Sequence, residues 1–196
     1  HQEARRQRQM CIRDRTEVCC IIGSPGGLPG GFVLYYMKKS QTNYYHSGVN
    51  ALRRVETITG TGNPGYSGDG GPATTAQIAE PFGVIVGPDG ALYCCDLGNH
   101  RIRRVDLASG LISTVAGSGR RGFSGDGSPA IEADLNEPYE IRFDAAGNLF
   151  FVDMLAHVVR RIDRQNQIIE TVAGTGEAGF SGDSGDALAA MLNRPH

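Results

Sequence analysis

The sequence predicts an all-β protein assembled from repeated four-stranded antiparallel sheets, and three observations support this. Glycine supplies 28 of the 196 residues, about twice the usual share of ~7%, but follows no Gly-X-Y period, which excludes collagen and favours a turn-dense β protein. A short segment recurs without gaps, beginning at Gly65, Gly122 and Gly179, with 57 residues between successive copies. Short apolar or alternating stretches separated by turn residues fill each interval.

Each repeat is predicted to contain four strands in a fixed order. In the first unit they are PFGVIV at 81–86, ALYCCD at 91–96, RIRRVD at 101–106 and LISTVAG at 111–117. The first is apolar throughout, as expected of a strand buried on both faces, whereas the third alternates and is half-buried. Four antiparallel strands per unit, with a long loop between units, is the pattern of a β-propeller blade. A sandwich with two similar halves is disfavoured because the period also keeps the loop lengths fixed.

The charge distribution divides the chain near residue 50. Residues 1–50 carry a net charge of +4, whereas residues 51–196 carry −6. We expect residues 1–50 to be a non-repeat leader, artefactual or disordered, because 10–15 (MCIRDR) resembles a translated sequencing adapter and 23–31 is rich in Gly and Pro. Within this leader, 32–37 is a candidate strand too short to span a membrane. The remaining divisions are 51–80, the end of a preceding blade with its inter-blade loop; 81–137 and 138–194, two blades; and 195–196, the start of a further blade.

The repeat resembles the NHL repeat. The segment DLGNHRIRRVD, from Asp96 to Asp106, stands between a Pro-x-Gly-Val opening and an ISTVAG closing, and contains the signature-like Asn99-His100-Arg101. The GFSGDGxPA insert is similar to those of long-loop bacterial NHL proteins and of the teneurin NHL domain. The second unit departs from the pattern, with LAHV at 155–158 where the first has GNHR at 98–101.

The resemblance implies a six-bladed NHL/TolB-like propeller for the parent protein. This chain is long enough for about two and a half four-stranded blades, so we expect an incomplete arc, truncated at both ends and prone to self-association. Many bacterial proteins of this kind are exported, which suggests an extracytoplasmic location.

The recurrent Asp-Gly loops contain the first candidate residues, Asp69, Asp126 and Asp183. A calcium site needs six to eight oxygen ligands, and each loop offers one Asp beside one Ser. We therefore predict a structural role, in which the carboxylate accepts backbone N–H groups within a Gly-rich turn.

Two histidines, His100 and His157, occupy equivalent turns and are candidate binding residues together with Asp96 and Asp153. Resemblance to the NHL-like peptide-amidating lyases, which hold zinc with His ligands from several blades, suggests a metal site. Because the two positions are equivalent in the repeat, we favour a shared structural role, an imidazole bonded to a turn carbonyl near either Asp.

The acids Glu137 and Glu140 lie at the start of an innermost strand, and Glu140 replaces Gly83 of the first blade. Propeller lactonases of the gluconolactonase type hold a divalent cation at such a place with a Glu, an Asn and an Asp. We expect the protein to have no cofactor. If the resemblance to the lactonases extended to their site, the cofactor would be a divalent cation.

Paired arginines at 53–54, 103–104 and 160–161 raise the question of nucleic-acid binding. Neighbouring strand residues point to opposite faces, and the repeat region is acidic, so we expect no nucleic-acid partner and predict cross-strand pairing with acids such as Asp106 or Glu170. Cys94 and Cys95 are adjacent on one strand, where a mutual disulfide is geometrically poor, and are predicted to be small buried hydrophobes.

These observations favour a non-catalytic platform that binds a protein, peptide or carbohydrate through its inter-strand loops. The alternative is a metal-dependent propeller hydrolase or lyase, gluconolactonase-like or amidating-lyase-like, with its site in the central channel. We regard an enzyme as the less favoured of the two.

Overall fold

The structure is a computed structural model, which describes residues 19–23, 33–38 and 54–196. Within these residues the regular structure consists of β-strands joined by turns and single-turn 3₁₀ helices. The strands are β1 (Cys19–Gly23), β2 (Val33–Lys38), β3 (Arg54–Thr59), β4 (Pro81–Val86), β5 (Leu92–Asp96), β6 (Arg101–Val105), β7 (Ile112–Ala116), β8 (Pro138–Phe143), β9 (Leu149–Asp153), β10 (Val158–Ile162) and β11 (Ile169–Ala173). The 3₁₀ helices are Ala73–Thr75, Leu97–Asn99, Ala130–Glu132, Met154–Ala156 and Ala187–Ala189.

Two four-stranded sheets form the predicted blades. Strands β4-β5-β6-β7 pair in order, and β8-β9-β10-β11 repeat the arrangement, with every pairing antiparallel. The all-β propeller fold is thereby confirmed, with strand bounds within one or two residues of those predicted. We call the end of each blade that carries the 3₁₀ turns and inter-blade loops the loop end. The opposite end, which carries the β4–β5, β6–β7, β8–β9 and β10–β11 turns, is the hairpin end.

The apolar core lies between successive sheets, as expected for blades packed face to face. One buried cluster joins the first blade to the second and includes Cys95, Ile102, Ile141 and Phe151. A second cluster lies on the other face of the first blade and includes Cys94. The adjacent cysteines therefore point to opposite faces and are buried, at 1% and 0% exposure, as predicted for small hydrophobes. Burial also raises the pKa of the Cys95 thiol well above its usual value.

Each inter-blade loop covers the outermost strand of the blade that follows it. Gly127 donates its N–H to the carbonyl of Ile169 in β11 (2.8 Å), and Ile169 donates back to Ser128 (3.1 Å). The loop before the first blade does the same, since Gly70 donates to Ile112 of β7 (2.8 Å). An exposed strand edge is prone to aggregation, so these loops protect the outer edges of both blades.

A further sheet of three strands precedes the two blades. Its order is β1-β2-β3, with β1 and β2 contributed by residues within 1–50 and β3 by the segment that ends the preceding repeat. The candidate strand at 32–37 corresponds to β2. The adapter-like segment at 10–15 and most of the Gly-Pro-rich segment lie outside the described residues. In the part of the chain that the structure describes, no helix has the length and apolar character needed to cross a membrane.

Candidate functional site

Aromatic rings at one position of successive repeats form a stack along the innermost strands, which we call the aromatic ladder. Phe82 of β4 stacks on Tyr139 of β8, with ring centroids 4.6 Å apart and planes inclined by 25°. Tyr139 in turn meets the His196 imidazole edge-on, at 6.3 Å and 84°. Phe82 and Tyr139 are half-buried and His196 is exposed, so part of the ladder faces solvent. The sequence analysis missed this feature, although the three positions share the 57-residue register.

Close approach of β4 and β8 brings the ladder residues together. Gly83 has a φ of 49°, a backbone conformation that disfavours side chains. A Cβ at this position would collide with the carbonyl oxygen of Tyr139 and lie 2.9 Å from the Cα of Glu140. The first blade therefore requires glycine at the position where the second carries Glu140.

The two predicted acids at this edge have different surroundings. Glu140 is paired with Arg142, two residues along the same strand, with Oε2 and Nη1 2.9 Å apart. Its side chain is 21% exposed, whereas that of Arg142 is 66% exposed. Glu137 has a φ of 64°, and its carbonyl accepts the N–H of Met154 (3.2 Å) in the following 3₁₀ turn. The innermost strand β8 thus carries a paired carboxylate and guanidinium in addition to the ladder residue Tyr139.

The two predicted histidines end equivalent 3₁₀ turns. His100 and His157 adopt left-handed conformations, with φ of 52° and 60°. Nδ1 of His157 accepts the N–H of Arg194 (3.1 Å), so the expected bond to a turn carbonyl is replaced by one in which the ring is the acceptor. Nδ1 of His100 is buried and has no hydrogen-bond partner among the described residues. Burial, reinforced by the charge of Arg121, lowers the pKa of His100, which favours the neutral imidazole.

Four of the predicted Asp residues belong to two clusters, each centred on a buried arginine, that we call arginine clamps. In the first clamp, Arg103 is fully buried and contacts Asp69 of the inter-blade loop (2.6 Å) and Asp96 at the end of β5 (3.2 Å). Asp96 also accepts the N–H of Ala79 (2.7 Å) and the amide of Asn99 (2.8 Å). The clamp therefore ties the preceding loop to two strands of the blade.

The second clamp repeats the geometry with one partner missing. Arg160 is fully buried and contacts Asp126 (2.6 Å) and Asp153 (3.6 Å). Ala156 stands where the first blade has Asn99, so Asp153 lacks the amide bond that Asp96 accepts at Oδ1. Its Oδ2 has no hydrogen-bond partner among the described residues. Burial raises the pKa of Asp153 to about 7, because Asn136 and Arg160 offset only part of the desolvation.

The loop carboxylates Asp69 and Asp126 each contact a buried arginine. Asp126 does accept a backbone N–H, from Thr171 (3.0 Å), yet its shortest contact is with Arg160. Partial burial acts to raise the pKa of Asp126, and the bonds from Thr171 and Arg160 outweigh it and lower the pKa. Asp183, in the third loop, is exposed and forms no ion pair with the residues that the structure describes.

In the pairs 103–104 and 160–161, the second arginine lies on the opposite face of its strand, as predicted, whereas the pair at 53–54 lies partly outside the described residues. Arg161 pairs with Glu170 of the neighbouring strand at 2.9 Å, and Arg104 pairs with Asp89 at 2.8 Å and Asp106 at 3.4 Å. These arginines are 31% and 27% exposed. In these two pairs, the first arginine thus belongs to a buried clamp and the second forms ion pairs at the surface.

The described residues do not converge as a metal centre would. Within 54–196, no group of three or more His, Cys, Asp or Glu side chains is placed to hold a metal ion. The structure instead separates the predicted residues into the clamps, the 3₁₀ turns and the inner-strand edge beside the aromatic ladder.

Comparison with known sequences identifies several similar proteins. SUPPRESSOR OF QUENCHING 1, a chloroplastic protein of Arabidopsis thaliana, is 31% identical over 134 residues, 65% of this chain and 12% of that protein. Teneurin-1 of Homo sapiens is 52% identical over 40 residues, 20% of this chain and 2% of that protein. NHL repeat-containing protein 2 of Bos taurus is 30% identical over 95 residues, 48% of this chain and 13% of that protein. The matches thus span a small part of each relative. No family model matches the chain.

Comparison with solved structures identifies the same fold. A structural genomics protein of unknown function from Bacteroides thetaiotaomicron has a TM-score of 0.56 at 17% identity, covering 95% of this chain and 52% of that one. An auxiliary nutrient binding protein from the same organism has a TM-score of 0.53 at 16% identity, covering 84% of this chain and 39% of that one. At these identities the likeness concerns the fold.

Proposed function

Because the chain is an NHL-repeat β-propeller protein, we propose that it is a non-catalytic platform that binds a protein, peptide or carbohydrate at its inner-strand edge. The aromatic ladder carries this proposal. Rings that remain partly accessible offer a large contact area at low entropic cost, and aromatic residues dominate the affinity of many interfaces.

The surroundings of the ladder suit recognition. Glu140 and Arg142 place opposite charges on the strand that also carries Tyr139, so a ligand that packs on the rings can also exchange hydrogen bonds with groups of either sign on this strand. The strands that hold these side chains are fixed by sheet hydrogen bonds and by the β4–β8 approach at Gly83. A preorganised surface loses less freedom on binding, which favours affinity.

Binding by the purified full chain can be tested with a glycan array and a library of linear peptides. Ligands found in this way are then measured by isothermal titration calorimetry against the parent chain and Tyr139→Ala. We expect the substitution to weaken binding at least tenfold, because it removes the central ring of the ladder. Ile131→Ala is the matched control, since Ile131 is 52% exposed and is not part of the ladder.

Two outcomes would contradict the proposal. Ligands whose affinity is the same for the parent chain and Tyr139→Ala would place recognition elsewhere on the molecule. Turnover of a lactone substrate that depends on an added divalent cation and is lost in Glu140→Gln would favour the hydrolase alternative.

A further inference from the structure

A cavity of about 220 Å³ lies between the two blades at the hairpin end. Its floor is apolar and comes from both blades, with Val115 from the first and Phe143, Leu149 and Ile162 from the second. Leu149 and Ile162 are buried, while Val115 and Phe143 are half-buried and remain available to a ligand. The cavity is at the opposite end of the blades from the aromatic ladder, and is therefore a separate site.

Two polar residues on the rim of this cavity differ from the residues at the equivalent positions of the other blade. Tyr93 of the first blade stands where the second blade has Phe150, and Arg164 of the second stands where the first has Leu107. A residue that the blade itself required would be expected in both repeats, because the strands and turns superpose in register. The polar groups around the cavity are thus a feature of this one blade junction.

The acidic group on the rim, Asp89, is already bonded to three donors of the first blade. Oδ1 of Asp89 accepts the N–H of Ala91 (3.2 Å), and Oδ2 accepts bonds from the Tyr93 hydroxyl (3.1 Å) and Arg104 Nε (2.8 Å). The charge of Asp89 is balanced by Arg104, which also pairs with Asp106 (3.4 Å). This side of the rim therefore carries a carboxylate whose charge is already neutralised by a neighbouring arginine.

The basic group on the rim, the guanidinium of Arg164, has donors available for a ligand. The Arg164 side chain lies across Gly147, which has no side chain to displace it. Among the described residues, its guanidinium donates only a long bond of 3.4 Å, to the carbonyl of Ala146. It forms no ion pair with any of the described residues. The rim therefore offers a guanidinium with free donors, which matches a carboxylate in charge and geometry.

The cavity size limits the apolar part of such a ligand. An apolar cavity of about 150 Å³ holds one benzene ring, so the volume here accommodates one ring with a carboxylate attached. Phe143 already meets Tyr93 edge-on at 4.9 Å, and a further ring can pack against its free face. We propose that this inter-blade cavity binds a small aromatic carboxylate, with its ring on the Phe143 floor and its carboxylate paired with Arg164.

The test uses the full chain and benzoate as the probe, followed by two-dimensional NMR. We expect saturable shifts of the resonances of Tyr93 and Phe143, with an affinity for benzoate at least tenfold higher than for benzamide, its neutral analogue. Arg164→Gln is expected to remove this tenfold preference. Arg120→Gln is the matched control, because Arg120 is 74% exposed and pairs with Asp134 (3.0 Å) in the inter-blade loop at the opposite end.

A second variant keeps the test decisive. Val115→Phe fills the floor and should abolish the shifts caused by either compound. The proposal is overturned if the parent chain shows no saturable response to benzoate, or binds benzoate and benzamide equally well. Because that comparison needs no variant, it stands even if a substitution impairs folding. Loss of ligand binding at the ladder in Tyr139→Ala would leave this result unchanged, so the two proposals fail independently.

Discussion

The arginine clamps predict that two adjacent arginines on one strand differ greatly in their contribution to stability. Arg160 is fully buried, and replacing it by Met at pH 8 would remove ion pairs to Asp126 and Asp153. It would also leave the carbonyls of Ser124 and Asp134, which it now bonds at 2.8 and 3.2 Å, without this donor. Removing one partner of a buried ion pair costs about 3–5 kcal/mol, and we expect a loss in that range for Arg160→Met.

Arg161→Met is the matched control on the same strand. Arg161 is 31% exposed, and its partner Glu170 is 48% exposed, so their pair at 2.9 Å is a surface salt bridge worth about 0–1 kcal/mol. Urea unfolding followed by circular dichroism gives the free energy of unfolding of each variant. If the losses for Arg160→Met and Arg161→Met agree within about 1 kcal/mol, the clamp does not stabilise the blade and the reasoning is wrong.

Three further predictions concern pH, backbone conformation and association. Burial raises the pKa of Asp153 in the folded state to about 7 from its ordinary value of 3.8. The stability that the protonated carboxyl contributes is therefore present below pH ~4 and is lost as the pH rises to ~7. A pH series of urea titrations should show a loss of at most about 4 kcal/mol, which should be absent in Asp153→Asn. Gly83→Ala should lower the melting temperature far more than Gly90→Ala, because both have positive φ but only the Cβ at 83 would collide with the neighbouring inner strand. Phe180 is 88% exposed, against 45% for the equivalent Phe123. Phe180→Asp should therefore reduce self-association of the full chain, measured by sedimentation velocity. An unchanged sedimentation coefficient would contradict a role of Phe180 in self-association.

The repeat made the strands predictable, but it could not reveal their partners in space. A fixed period and turn residues located the strands from β4 to β11 within one or two residues of their observed bounds. The alternation of side chains along a strand also predicted that the members of an arginine pair face opposite sides. The alternation did not predict which member of the pair would be buried. That depended on the path of the inter-blade loop, which is determined by packing between blades. The sequence did carry a signal for the clamp, since Asp69 and Arg103 are separated by 34 residues, as are Asp126 and Arg160.

The candidate sites were less predictable because a repeat constrains the fold more than it constrains binding. Shared positions such as Arg103 and Arg160 hold the blades, whatever the protein binds. Binding chemistry can vary only where the backbone does not depend on the side chain, as on the partly exposed face of the ladder or on the rim of the inter-blade cavity. Arg164 illustrates this, because Leu107 serves the same turn in the first blade without a guanidinium. Differences between otherwise superposable blades are therefore where the search for a ligand should begin.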